Sequence, residues 1–179
     1  MGDLTAADHR FRAQVTLSCM GLNAPRTTLT QEGLATYAEV VTHSLDIARL
    51  RRLALRTLAI HAALEGADYL EVFQLFLDAG QSPDESAHSA MRVFRGSDVR
   101  GPAVFTKDVV YLCGLIAVHT FLRKAIAEGR PELVRHLFCG RLALPDVLAL
   151  EPAFASEHLV EPPFVPAWAT ELHRLSAHL

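Results

Sequence analysis

Apolar residues in this 179-residue chain recur at spacings of three and four, and strict alternation over the length of a strand is hard to find. That is the pattern of helices that each bury one stripe, so an all-α fold is expected. Several helix boundaries are marked by residue type. Ser82-Pro83-Asp84-Glu85 sets a serine at the cap, a proline at the first helical position and a glutamate placed to close a capping box, which predicts a helix to about residue 94. Asp68 caps a shorter helix that stops at Gly80. Ser44 is expected to cap a longer one, with Leu50, Leu53, Leu58 and Leu64 as its buried stripe, Arg49, Arg52 and Arg56 on a neighbouring polar stripe, and Gly66 at its end. Thr30 is expected to cap a helix over 31–41, which leaves Glu32 in the first turn. Residues 95–105 read as a loop, and Thr106 as the cap of a central apolar helix over 107–128. Pro131 and Pro145 stand where helices can begin, and a proline-rich strap over 151–166 precedes a last amphipathic helix over 168–175.

Hydrophobic residues make up 50% of the chain and charged residues 21%, enough apolar surface to offset chain entropy, so one compact core is expected. A formal charge of −3 and a pI near 6.3 exclude a protein relying on a broad cationic surface, so no nucleic-acid partner is expected. A helix-turn-helix built on Arg49, Arg51, Arg52 and Arg56 has no base-reading signature to support it. Cys19, Cys113 and Cys139 are widely spaced and cannot all pair, which suits a reducing compartment. The first twenty residues carry Asp3, Asp8, His9, Arg10 and Arg12 instead of an apolar leader. The most apolar run, 109–118, falls short of the roughly 18 residues of a span, so no membrane partner is expected and the location is read as cytoplasmic.

No self-contained catalytic pattern is present: there is no Gly-x-Ser-x-Gly, phosphate loop, dinucleotide fingerprint or His-Glu-x-x-His. The nine histidines include no close pair at the helical spacing of a zinc site. Two places invite a functional reading. At Glu32-Gly33, a carboxylate is followed by a glycine that costs about 1 kcal/mol inside a helix. Either something approaches the backbone there, or another helix packs closely. In the second place, Arg92 and Arg95 are three apart and Lys107 and Tyr111 four apart, spacings that put each pair on one helix face. Guanidinium forks, an ammonium and a phenol together suit an anionic substrate end, while an arginine–Asp108 bridge on a solvated face is the structural alternative.

Gln31-Glu32-Gly33-Leu34-Ala35 resembles the signature of the flavohemoglobin expression-modulating QEGLA motif proteins, a family similar to the microtubule-associated tyrosine carboxypeptidases, which are zinc metallopeptidases. The resemblance continues through Leu50-Arg51-Arg52-Leu53-Ala54, Glu65-Gly66-Ala67, Met91-Arg92-Val93-Phe94-Arg95-Gly96, Phe105-Thr106-Lys107-Asp108, Tyr111-Leu112 and Pro162-Pro163. It covers 27–163, and the segment 1–26 matches loosely, so the QEGLA-motif domain is placed at 27–179. The resemblance implies a zincin-like helical metallopeptidase domain of which this chain is the C-terminal part. It also implies that Glu32 is the third zinc ligand and that Arg92, Arg95, Lys107 and Tyr111 line the substrate pocket. The His-Glu-x-x-x-His that supplies the other two ligands and the general base is absent. Zinc is therefore expected in the full-length family domain and not in this chain alone, which is expected to be inactive by itself. The substrate implied is a peptide or protein C-terminus, and a non-catalytic regulatory or binding module is the alternative. Apolar surface left exposed by a missing N-terminal half would favour self-association.

Overall fold

The computed structural model describes residues 18–22, 24–171 and 175, with the backbone alone at 18 and 19. Among the described residues there are nine α-helices and no strand, as the periodicity requires: α1 (Pro25–Val41), α2 (Ile47–Leu64), α3 (Tyr69–Asp78), α4 (Pro83–Val93), α5 (Val109–Ala127), α6 (Glu132–His136), α7 (Leu144–Ala149), α8 (Glu151–Ala155) and α9 (Ala167–Thr170). Short 3-10 turns occupy Ser18–Gly21 and Thr106–Asp108. The chain divides into two compact units, one contiguous over Leu45–Leu112 and one split between the described parts of Met1–Ser44 and Cys113–Leu179. Each has its own apolar cluster, where a single core was expected.

In the contiguous unit the capping signals determine the helices. The Asp68 carboxylate accepts from the Leu70 and Glu71 amides, and the Glu71 side chain accepts from the Asp68 amide at 2.9 Å. Ser82 and Glu85 form the reciprocal pair at the start of α4, and those bonds to Ser82 hold the Glu85 carboxyl below its ordinary pKa. The start of α2 differs from expectation. Asp46 caps it by accepting from the Arg49 amide, while the Ser44 hydroxyl donates to the Glu39 carbonyl. The buried face of α2 is also rotated from the expected stripe. Leu53, Ala59, Ile60 and Ala63 are buried, whereas Leu50, Leu58 and Leu64 are exposed. Small Ala59 and Ala63 admit α3 and α4 where leucines would hold them away, and Arg56 falls on the same packed side.

In the split unit, α1 begins five residues before Thr30, with Pro25 in its first turn and no side-chain cap at Ala24. Thr30 is buried inside the helix, and its hydroxyl oxygen accepts from the Leu144 amide at 3.2 Å. The carboxylate at Glu32 therefore sits mid-helix, beyond reach of the helix N-terminus. Gly33 of α1 meets Gly114 of α5: a methyl group on Gly33 would stand 2.8 Å from the Gly114 Cα and nearer still to its carbonyl. Thr106 does not cap α5, because the Thr106–Asp108 turn precedes it and Phe105 takes the cap position without a side-chain bond. Helix α5 buries Gly114, Val118, Leu122 and Ala125. Taken with its preceding turn, Thr106–Ala127 is long and apolar enough to cross a membrane by length and composition, a test that core helices also pass. Helices α6 and α7 start at Pro131 and Pro145 as expected, and the 151–166 stretch opens with the short α8. The last helix is seen as α9 and at Leu175, and the remainder of 168–175 lies partly outside the described residues.

Candidate functional site

The contiguous unit gathers charge around one carboxylate. Asp108 is buried in the turn ahead of α5. Arg92, in the last turn of α4, donates to it twice, through Nε to Oδ2 and through Nη2 to Oδ1 at 2.9 Å. Arg56 of α2 brings Nη1 to 3.9 Å from the same Oδ2. The bidentate bond to Asp108 raises the Arg92 pKa, whereas burial lowers that of Arg56, with the Arg92 and Arg52 charges adding to the effect and Asp108 opposing it. The half-buried Tyr111 interacts electrostatically with both Arg56 and Arg92. Arginines from two helices thus converge on a carboxylate that balances only one positive charge, with a phenol from a third helix within electrostatic range of both. The Arg92 fork uses two of its donors on Asp108 and keeps others for a second acceptor.

Of the four residues expected to line a substrate pocket, Arg92 and Tyr111 come together in this cluster. Arg95 does not share the face of Arg92, because α4 ends at Val93 and Phe94 is its C-cap. Its exposed guanidinium lies over the Phe105 ring, 5.1 Å from the centroid. Lys107 is exposed in the 3-10 turn, where the four-residue spacing to Tyr111 no longer describes one α-helical face. Arg56 is the member that sequence reading left on a polar surface stripe. The small residues Ala59 and Ala63, three and seven positions beyond it, are the signal that this side of α2 is closely approached.

Glu32, in the split unit, is half-buried on α1, and its backbone carbonyl accepts from the Thr36 hydroxyl at 2.9 Å. Next to it the Gln31 amide nitrogen is buried without a hydrogen-bond partner among the described residues. The structure resolves the two readings of Gly33 in favour of helix packing against Gly114. Among the described residues no three His, Cys, Asp or Glu side chains gather to hold a metal ion, and Glu32 offers a single carboxylate. Among the described residues, then, no set of side chains forms a zinc site around Glu32.

A family model described as microtubule-associated tyrosine carboxypeptidase matches residues 10–179, a span that includes both units. No curated protein and no solved structure matches the chain. With nearly the whole sequence covered by that one match, this chain belongs to the microtubule-associated tyrosine carboxypeptidase family.

Proposed function

We propose that this chain is a carboxypeptidase-like domain that holds the carboxylate end of a peptide on the arginine cluster of its contiguous unit and does not cleave the peptide by itself. The observation that carries the reading is the convergence of Arg56 and Arg92 on one buried carboxylate, Asp108, which leaves cationic capacity for a second one. Asp108 acts as a positioning residue: it fixes the Arg92 fork, so an incoming carboxylate meets a guanidinium already ordered. Tyr111 adds a hydroxyl within electrostatic reach of both arginines. The family's name, tyrosine carboxypeptidase, supports recognition of a peptide's carboxyl end. By resemblance the fold corresponds to the C-terminal part of a zincin-like metallopeptidase domain with Glu32 as a metal ligand. The His-Glu-x-x-x-His segment to which the resemblance assigns the other two ligands does not occur in the sequence.

The binding claim is tested by calorimetry with an N-acetylated peptide ending in tyrosine, offered as the free acid and as the amide. The free acid is expected to bind, and Arg56→Met or Arg92→Met to weaken it about tenfold, the scale of one charge-assisted contact. Equal binding of acid and amide would refute the carboxylate role. Incubation of the same free acid with the chain and added zinc is expected to release no tyrosine; release that disappears in Glu32→Gln would overturn the claim of inactivity. The missing ligand set also favours a second reading, a regulatory helical module. Under that reading a folded protein partner binds the chain whether or not its terminal carboxylate is free.

A further inference from the structure

We propose that the outer face of α2 makes a reversible, antiparallel two-fold contact with a second copy of this chain. Ile47, Leu50, Leu58 and Leu64 are all exposed there, Ile47 at 86% and Leu58 at 59%. At 3.6 residues per turn these four, with Ala54 among them, fall within about 120° of the helix circumference. A single exposed leucine is ordinary, but four large apolar side chains along one helix form a surface that association would cover. Arg56 lies about 160° round the helix from Leu58, so this face is distinct from the one that holds the arginine cluster.

The charges on the stripe identify the partner. Arg51, Leu58 and Glu65 stand seven residues apart on one line along the helix, with the leucine midway between opposite charges. Glu65 is the C-cap residue and keeps a helical conformation. Two copies laid antiparallel about Leu58 set that leucine on its counterpart, Arg51 of each opposite Glu65 of the other, and Leu50 opposite Leu64. Parallel pairing would set arginine on arginine and glutamate on glutamate. Small Ala54 lets the two helices come close.

Both charges are exposed and available. Arg51 gives one bond to the Ala79 carbonyl at 2.7 Å, which anchors the guanidinium and leaves other donors for a carboxylate. Glu65 enters no salt bridge among the described residues. A lipid surface would instead require a basic rim, and exposed Asp46 and Glu65 at the two ends of the stripe oppose it. An 18-residue helix is about 27 Å long, so one pair of such faces buries less than the roughly 1,200 Å² at which stable interfaces begin. Half-association is therefore expected at micromolar concentration or above.

Sedimentation velocity of the full chain from about 1 μM to about 1 mM is the test, under reducing conditions that keep exposed Cys113 from cross-linking. The parent is expected to pass from monomer to dimer, and Leu58→Glu to stay monomeric because two glutamates would meet on the axis. Arg51→Glu and Glu65→Arg should each dimerise at least about tenfold more weakly, and the doubly reversed Arg51→Glu/Glu65→Arg should recover the parent's association. Circular dichroism verifies that each variant keeps its helices. A parent that stays monomeric throughout, or a Leu58→Glu dimer as tight as the parent's, overturns the proposal. Loss of the dimer in Leu58→Glu with no response to single charge reversal overturns the antiparallel register. Pelleting of a monomeric parent, but not of Leu58→Glu, with phosphatidylglycerol vesicles would assign the face to a lipid surface instead.

Discussion

The two units of this chain solve opposite packing problems. In the contiguous unit, α2, α3 and α4 lie close in sequence, and their apolar cluster adjoins a carboxylate that is buried and paired with two arginines. In the split unit, segments some eighty residues apart are brought together at Gly33 and Gly114, where space itself is scarce. The contiguous unit is thus sensitive to charge at one point and the split unit to volume at one point. That difference predicts which kinds of substitution each will tolerate.

The largest effect is expected at the glycines. Alanine at Gly33 or Gly114 improves helix propensity by about 1 kcal/mol, yet its methyl meets backbone, which no rotamer change can move aside. Each substitution is expected to cost at least about 3 kcal/mol, read as a lower denaturant midpoint of Trp168 fluorescence. The tryptophan is unique in the chain and packs on Tyr37 and Phe138 within the split unit. A midpoint unchanged by Gly33→Ala would contradict the close approach.

Next in size is Asp108→Ala. Its carboxylate is buried, but Arg92 is 40% exposed and can turn to water, so the loss should be about 2 kcal/mol and not the larger penalty of a fully buried pair. Hydrogen exchange of α2 and α4 is the measurement, since both helices hold arginines on Asp108. Asp108→Asn is expected to cost less, because the amide can still accept from one arm of the Arg92 fork. If either variant lowered the Trp168 midpoint by as much as exchange in α2 and α4 loosened, the distinction between the units would fail.

The same contrast explains what could be read from sequence. The Asp68 and Ser82 capping boxes were legible because their bonds run between residues two or three apart, and the 95–105 loop because Gly96, Gly101 and Pro102 interrupt any helix there. The start of α1 was not, because Thr30 bonds an amide 114 positions away and so serves tertiary packing instead of capping. The leucine stripe of α2 misled for a related reason: alanines and an arginine face its neighbours, a choice that depends on how closely those neighbours come. For the candidate site, residue type identified Arg92 and Tyr111, whereas the partition of Arg95 and Lys107 depended on α4 ending at Val93 and on a 3-10 turn ahead of α5. No local pattern announced Arg56 or the stacking of His136 on Phe154.

A pH effect separates the units further. His136 in the split unit has a pKa lowered by burial, below the roughly 6.5 of an unfolded histidine. Between those values the unfolded chain binds more protons, so its contribution to stability is complete above about pH 6.5 and is lost as pH falls through the lowered value. The Trp168 midpoint should drop more steeply on acidification in the parent than in His136→Phe, which keeps the stack on Phe154. Identical slopes would show that another group carries the acid sensitivity.

The smallest effect is expected at Tyr37, which the split unit buries almost completely and whose hydroxyl has no partner among the described residues. An unsatisfied hydroxyl costs on the order of 1 kcal/mol or more, while the ring keeps its edge contact with Trp168 at 5.6 Å whether or not the oxygen is present. Tyr37→Phe should therefore be neutral or stabilise by up to about 1 kcal/mol, the reverse of what deleting a bonded hydroxyl would do. Burial also pushes the Tyr37 phenol up to about 12. Its stabilising contribution is present below the unfolded value of about 10 and lost as pH rises through the folded one. Tyr37→Phe should accordingly remove a phenol that ionises near pH 12 from an alkaline absorbance titration and flatten the alkaline fall in the Trp168 midpoint. A loss of 1 kcal/mol or more, flagged by a lower midpoint at neutral pH, would mean the hydroxyl is satisfied in solution. The split unit's interior would then tolerate polarity much as the contiguous unit does at Asp108.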